Sequence, residues 1–301
     1  MIEGDDILAG KEGELKFATD NVFIDQGRSG TNSGGRMTRK RTLHDLREVA
    51  RARESEWWAR NFDELHFMYI SGSRGSNSDF IFPSDYSGFA GNPFTAPDDE
   101  HLMYAGSATS RASMTAADKF TLKLVDRLKT RATMMGGGTQ QTPQIQPIRI
   151  NGADHYCIVM SPWSEFDLRT DTSVGQWLDI QKAAAGAEGR KNPIFQGALG
   201  MYNDVILHSH KAAIRFDDYG AGQDVEASRA LFMGMQAAVC AFGSAGGGLR
   251  FDWHEETDDR GNQLIISTHS IFGIKKCTYN IDGTPKDFGV IAADVAAADP
   301  G

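Results

Sequence analysis

Residues 43–70 carry the longest unbroken helical pattern in the chain, and this stretch constrains the fold more than any other. Leu43, Leu46, Ala50, Trp57, Leu65 and Met68 recur at helical spacing. Arg41–Asp45, Glu56–Arg60 and Arg60–Glu64 are opposite charges four residues apart, each adding about 0.2–0.5 kcal/mol to a helix. Thr42-Leu43-His44-Asp45 matches a capping box, in which the hydroxyl accepts from a backbone amide while the carboxylate reaches back. Ser71-Gly72 and Gly75 end the pattern. At about 1.5 Å per residue the stretch predicts a rod of roughly 42 Å, long against a mean helix of about 11–12 residues.

The remaining segments are shorter and richer in turns, as 33 glycines in 301 residues require. In the Gly-rich residues 1–36, Leu15-Lys16-Phe17 and Val22-Phe23-Ile24 flank the turn signal Thr19-Asp20-Asn21 and predict a hairpin. So little apolar surface cannot bury a core alone, so the hairpin needs something to lie on. Residues 76–113 hold Phe80, Phe82, Tyr86, Phe89, Phe94 and Tyr104 without periodicity, and read as an ordered loop whose aromatics are buried against a neighbour. A second helix opens at Thr115-Ala116-Ala117-Asp118, turns Phe120, Leu124, Val125, Leu128 and Ala132 inward, and closes at Gly136-Gly137-Gly138. Ile148 and Ile150 before Asn151-Gly152, with Tyr156, Ile158 and Met160 after it, mark a second hairpin. A third helix is expected over about 174–187, a strand near 205–208, and a fourth helix over about 225–242 carrying Leu231, Phe232, Met235, Ala238, Val239 and Phe242. Strands near 249–256 and 263–271, joined by Asp258-Asp259-Arg260-Gly261-Asn262, and short strands near 273–279 and 287–291 complete an α+β chain with mostly antiparallel pairing.

Several function classes find no support. No run of 18 apolar residues offers a membrane helix, and the acidic Met1-Ile2-Glu3-Gly4-Asp5-Asp6 start has no apolar signal region. Cys157, Cys240 and Cys277 form no CxxC pair and read as reduced thiols of a chain folded in a cytoplasm. The motifs GxSxG, GxxxxGK[ST], GxGxxG and HExxH are absent. His208 and His210 share one face of a strand and, with Glu255, could make a metal-dependent hydrolase site; the competing reading is ordinary polar positions on sheet edges. Glu255, Glu256, Asp258 and Asp259 surround a hairpin turn, where solvated acids are normal. No cofactor is implied.

The charge is unevenly placed. Residues 36–60 hold eight Lys and Arg against Asp45, Glu48, Glu54 and Glu56, a net +4 that leaves −13 elsewhere in a chain of −9. That balance argues against wholesale nucleic-acid binding. It allows a weak phosphate-facing strip at Arg47, Arg51 and Arg53, or a solvated or intersubunit helix face.

Ordered motifs along nearly the whole chain carry a resemblance. They are Gly4-Asp5-Asp6 with Gly10-Lys11-Glu12, Ile24-Asp25-Gln26, Gly34-Gly35-Arg36-Met37-Thr38-Arg39-Lys40-Arg41, Trp57-Trp58-Ala59, Asn151-Gly152 and Asp167-Leu168-Arg169. Asn192-Pro193-Ile194-Phe195-Gln196-Gly197-Ala198-Leu199-Gly200 with Tyr202-Asn203, then Gly273-Ile274-Lys275-Lys276 and Asp287-Phe288-Gly289-Val290, complete the set. In this order they resemble a family of tailed-bacteriophage major capsid proteins long known only as a domain of unknown function.

The resemblance implies the Hong Kong 97 fold: an E-loop hairpin arm at 1–36, a P domain at 37–149 with a spine helix at about 43–70, an A domain at 150–265, and a segment at 266–301 returning to the P domain. It implies assembly into pentamers and hexamers of an icosahedral head around double-stranded DNA, built in the host bacterial cytoplasm, with no catalysis, metal or membrane. Leu15, Phe17, Val22, Phe23, Ile24, Phe89 and Phe94 are then expected at intersubunit contacts. Arg47, Arg51 and Arg53 are expected to face the lumen and touch packaged DNA weakly. Portal, scaffold and decoration proteins are the other partners it suggests. Family members carry a further segment before the match to Gly4-Asp5-Asp6, so an N-terminal arm is expected to be short or missing. The rivals are an encapsulin-like shell of the same fold holding cargo, and the hydrolase.

Overall fold

The computed structural model describes residues 19–135, 144–150, 152–171, 199–244, 248–281 and 283–301. The expected helix at 174–187, the Leu15–Phe17 strand, the glycines at 136–138 and Asn151 lie outside them.

A short helix α1 (Arg36–Arg41) precedes the long helix α2 (Leu46–Ser71). The capping box at Thr42 does not form. Thr42 instead closes α1, its amide donating to the Thr38 carbonyl at 3.2 Å. Asp45 caps α2, its carboxylate accepting from the Arg47 amide at 2.9 Å. Gly72, at φ +71°, ends α2 in the left-handed conformation that glycine adopts without strain. The helix is therefore 26 residues long and starts three residues later than the pattern suggested. Leu43 falls outside it and is fully exposed. Trp58, not Trp57, is the buried tryptophan. The apolar spacing misjudged this face because polar residues share it: Glu54, Asn61 and Glu64 are buried beside Ala50, Leu65, Met68 and Tyr69.

Two further helices follow, α3 (Leu122–Met134) and α4 (Pro162–Thr170). The segment 115–118 is a turn held by Asp118, whose Oδ2 accepts from the Thr115 amide and hydroxyl, and α3 begins later, at Leu122. Phe120, Leu124, Val125, Leu128 and Ala132 are buried as expected.

The strands are β1 (Asp25–Asn32), β2 (Leu102–Tyr104), β3 (Ile148–Ile150), β4 (Ala153–Met160), β5 (Gly200–Tyr202), β6 (Val205–Ser209), β7 (Arg215–Tyr219), β8 (Val225–Met233), β9 (Ala238–Phe242), β10 (Phe251–Asp258), β11 (Gln263–Lys276), β12 (Thr278–Ile281), β13 (Thr284–Asp287) and β14 (Val290–Ala296). One sheet runs β2-β14-β8-β4-β6-β5, with β3 on β4 and β7 on β8. The second runs β1-β11-β10, with β9 also on β11, and β12-β13 is a small ribbon. Among the described residues pairing is antiparallel except for β14 with β2 and β4 with β6.

The helix expected over 225–242 is two strands, β8 and β9. β8 lies between β14 and β4 with six consecutive buried residues. A strand covered on both faces loses its alternation, and its apolar run then cannot be told from a helix. Gly234 marks the break: a Cβ there would collide with the Gln146 carbonyl.

α3, with Phe120 just before it, packs Leu124, Val125 and Leu128 onto Ile158, Phe232, Ile291 and Val295 of the larger sheet. α2 packs Trp58, Leu65, Met68 and Tyr69 against Phe272 and Ile274 of β11 and Ile214 and Tyr219 beside it. A buried ionic cluster ties the two layers. The Arg229 guanidinium donates twice to Asp294, at 2.6 and 2.7 Å, and once to the Ser71 carbonyl at the end of α2, at 2.8 Å. The Tyr219 hydroxyl donates to the same carboxylate at 2.7 Å. Burial acts to lower the Arg229 pKa, and Asp294 beside it more than reverses this and raises it. The three thiols are unpaired, and burial pushes Cys157 up to about 11, which keeps it in the unreactive thiol form.

Candidate assembly surfaces

The smaller sheet with α2 across it holds most of the residues singled out from the sequence. β1 passes directly beneath Trp58 with little room to spare: a Cβ on Gly27 would lie 3.1 Å from the indole and 3.0 Å from Phe272. The indole N–H donates to Thr268 Oγ1 at 2.7 Å. Glu54 accepts from the hydroxyls of Thr31 on β1 and Thr268 on β11, so one buried carboxylate links the helix to two strands.

Residues 19–24, just before β1, lie on their own chain and are not a strand. The Phe23 amide donates to Asn92 Oδ1 at 3.0 Å, and Asn92 Nδ2 donates back to the Phe23 carbonyl at 2.8 Å. Lys275 pairs with Asp20. Burial acts to raise the Asp20 pKa, but the bonds from Lys275 and from the Thr278 amide outweigh it and hold the carboxyl below its usual range. The strand expected at Val22–Ile24 is displaced to 25–32 and pairs with β11 of the same chain. Val22 is half-buried, whereas Phe23 and Ile24 are 61% and 48% exposed. Leu15 and Phe17 lie outside the described residues.

The aromatic loop is ordered, but the surface that buries it is its own chain. Phe89 stacks on Phe272 at 4.5 Å, and Phe94 meets Tyr69 edge-on at 4.9 Å. The Tyr69 hydroxyl donates to the Asn92 carbonyl at 2.8 Å and holds the loop to α2. Phe89 and Phe94 are thus half-buried within the subunit.

The basic strip is partly neutralised in place. Arg47 grips Glu255 on β10 with two bonds, and Arg51 adds a third at 3.0 Å while its guanidinium lies 4.5 Å over Trp253. These bonds, Arg47's first, lower the Glu255 pKa and raise that of Arg47. Arg53 pairs with Glu56 on the same helix. Between α2 and β10 lies an apolar groove of about 570 Å³ lined by Trp58, Ala59, Phe62, Phe251 and Trp253.

The hydrolase constellation is not brought together. His208 and Glu255 sit on different sheets, and Glu255 is held by two arginines. His210 stacks on Phe67 at 5.0 Å, its Nδ1 accepts from the Ala212 amide, and its Nε2 is 3.7 Å from Asp63. Among the described residues no three His, Cys, Asp or Glu side chains converge as a metal site. The Arg47–Glu255 pairing escaped the sequence reading because the partners stand 208 residues apart.

A family model described as phage capsid protein matches residues 1–299. The major capsid protein of Pseudomonas phage KPP25 is 26% identical over 319 residues, covering 98% of this chain and 80% of that protein. The capsid of Ralstonia phage GP4 superposes with a TM-score of 0.91 at 51% identity, covering 99% of this chain and 80% of that one. The acid-stable capsid of Helicobacter pylori bacteriophage KHP30 shares the fold, with a TM-score of 0.62 at 16% identity over 98% of this chain and 81% of that one.

Proposed function

Because this chain belongs to the phage capsid protein family, we propose that it self-assembles into pentamers and hexamers of an icosahedral head that encloses double-stranded DNA. The chain is a structural virion protein with the Hong Kong 97-like α+β capsid fold. The observation that carries the proposal is the likeness to the Ralstonia phage GP4 capsid, at 51% identity and a TM-score of 0.91 across 99% of this chain. Copies in closed rings would meet through heterologous surfaces, different patches of one subunit facing each other around an axis.

In this reading the smaller sheet with α2 is the peripheral P domain and the larger sheet with α3 and α4 is the axial A domain. The boundaries drawn from the sequence differ from this assignment: the cut at 265 and 266 falls inside β11, α3 lies before the cut at 149 and 150, and β14 of the segment expected to return to the P domain belongs to the larger sheet. Phe23 and Ile24 are the intersubunit candidates left exposed, and Leu15 and Phe17 remain candidates on the sequence alone. The subunit performs no catalytic step in this role, and assembly takes place in the host bacterial cytoplasm.

The test is expression of the full chain, followed by sedimentation and negative-stain microscopy. Closed shells of uniform diameter are expected, and shells recovered from infected cells should contain nucleic acid. A chain that stays monomeric at high concentration overturns the proposal. Shells filled with protein favour the cargo-holding alternative.

A further inference from the structure

At one end of the smaller sheet, charges of both signs without ionic partners among the described residues sit side by side. The turn closing β10 and β11 carries Asp259 and Arg260 at φ +49° and +53°, with Gly261 at +82°. α1 is fastened to this turn: the Arg36 amide donates to Asn262 Oδ1 at 3.1 Å, Arg36 Nε to the Gly261 carbonyl at 3.1 Å, and an Arg39 nitrogen to the Asn262 carbonyl at 3.1 Å. The basic run Arg39-Lys40-Arg41 and the acidic Glu256, Asp258 and Asp259 therefore share one tip.

None of these six side chains has an ionic partner among the described residues. On a strand, alternate residues face opposite ways. Glu255 turns toward α2 and is taken by Arg47 and Arg51, so Glu256 and Asp258 face away from it. The same stretch bares apolar side chains: Met37 is 62%, Leu43 fully and Val49 44% exposed. Bare apolar groups rimmed by charge are the composition of an interface, not of a free surface.

We propose that this tip is a heterologous contact between neighbouring copies, in which Arg39, Lys40 and Arg41 of one subunit meet Glu256, Asp258 and Asp259 of the next. The inference rests on the assembly reading and adds the surface and its chemistry. The occupant is a second copy because each subunit presents both halves of the complement on one tip, and a rotation about an axis brings one half to the other. A polyphosphate fits worse, since the three carboxylates beside the basic run repel it. Attraction of this kind speeds encounter and rejects wrong partners, and salt screens it over about 8–10 Å.

The test is a charge swap in the full-length chain. Lys40→Glu with Arg41→Glu sets acid against acid, and Glu256→Lys with Asp258→Lys sets base against base. Among the described residues these positions have no ionic partner, and the one side-chain bond is at exposed Asp258, whose Oδ1 accepts from the Asp259 amide at 2.7 Å, so the melting temperature of the unassembled variants should stay close to that of the parent. Each double variant should yield at least about tenfold fewer shells by sedimentation, and the four substitutions combined in one chain should restore them. Normal shell yield from either double variant, or failure of the combined chain to recover, overturns the contact. A Lys40→Glu, Arg41→Glu chain that assembles normally but retains less DNA also overturns it and assigns the run to phosphate. Parent shells made alongside keep the two readings apart: if the parent forms none, the assembly reading itself falls.

Discussion

Replacing Trp58 with alanine should cost the subunit about 3–5 kcal/mol, the usual loss for truncating a buried tryptophan in a core that relaxes only partly. The indole is 5% exposed and is met edge-on by Trp57, Phe251 and Phe272 at 5.2, 5.5 and 6.0 Å between ring centres. Its floor is Gly27, which cannot move up to fill the space without leaving the ladder with β11. The lost hydrogen bond adds little. Thr268 keeps its bond to Glu54 at 3.0 Å, so no buried donor is orphaned. Trp57 is half-buried on the neighbouring face, and Trp57→Ala should cost about 1 kcal/mol. Urea unfolding of the unassembled subunit measures both. With a slope of about 3 kcal/mol per molar, Trp58→Ala should lower the midpoint by at least about 1 M, with Trp57→Ala well under half of that. Equal shifts, or a larger one for Trp57→Ala, would refute the assignment of the buried face.

Asp294→Ala should destabilise the subunit by about 3–5 kcal/mol, because it strands the buried Arg229 charge; urea unfolding that shows under 1 kcal/mol would mean the cluster is solvated. Asp98 resists burial, which acts to raise its pKa, because bonds from His101 and the Asp287 amide hold the carboxyl well below its usual range. A depressed folded pKa gives stability that is full above the unfolded carboxylate value of about 4 and is lost as pH falls below it toward the folded value. Between pH 5 and 2, Asp98→Asn should therefore flatten the acid loss of the urea midpoint, and an unchanged slope rules out this role. Deleting residues 1–24 should leave a folded subunit that assembles poorly, whereas deleting 1–32 should also unfold it by baring the β11 edge and Phe272; circular dichroism and sedimentation separate the two. Arg47, Arg51 and Arg53 changed together to Gln should leave shells intact and lower the DNA they retain, and failed assembly would make these arginines subunit contacts instead.

The sequence revealed elements whose periodicity has one physical source. α3 shows its buried stripe cleanly because one face meets the larger sheet and the other meets water. The β3–β4 hairpin is legible because Gly152, at φ +85°, supplies the backbone its turn demands. The long helix was legible as a helix but not in its orientation, since Glu54 and Glu64 occupy inward positions where periodicity expects apolar residues. Glu54 is held by the hydroxyls of Thr31 and Thr268, far away in the chain, and Glu64 by the Ile81 amide as well as by Arg60 one helical turn away. β8 failed for the opposite reason. Burial on both faces erased the alternation that distinguishes a strand.

The candidate contact surface shows where reading by local composition stops. Residues 36–60 looked like one basic strip, and 255–259 looked like the solvated acids of a turn. Each half is accurate alone, yet pairing β10 with β11 and laying α2 across them changes what both can do. It brings Glu255 to Arg47 and Arg51 and cancels one of their two charges. It leaves Arg39, Lys40 and Arg41 at the end of α1 and Glu256, Asp258 and Asp259 on the hairpin without ionic partners among the described residues. If charge were placed only to keep the subunit soluble, the cheaper arrangement would pair them in place, as Arg53 pairs with Glu56 one helical turn away. Charges kept apart within one subunit but complementary under rotation are useful only when another copy is present.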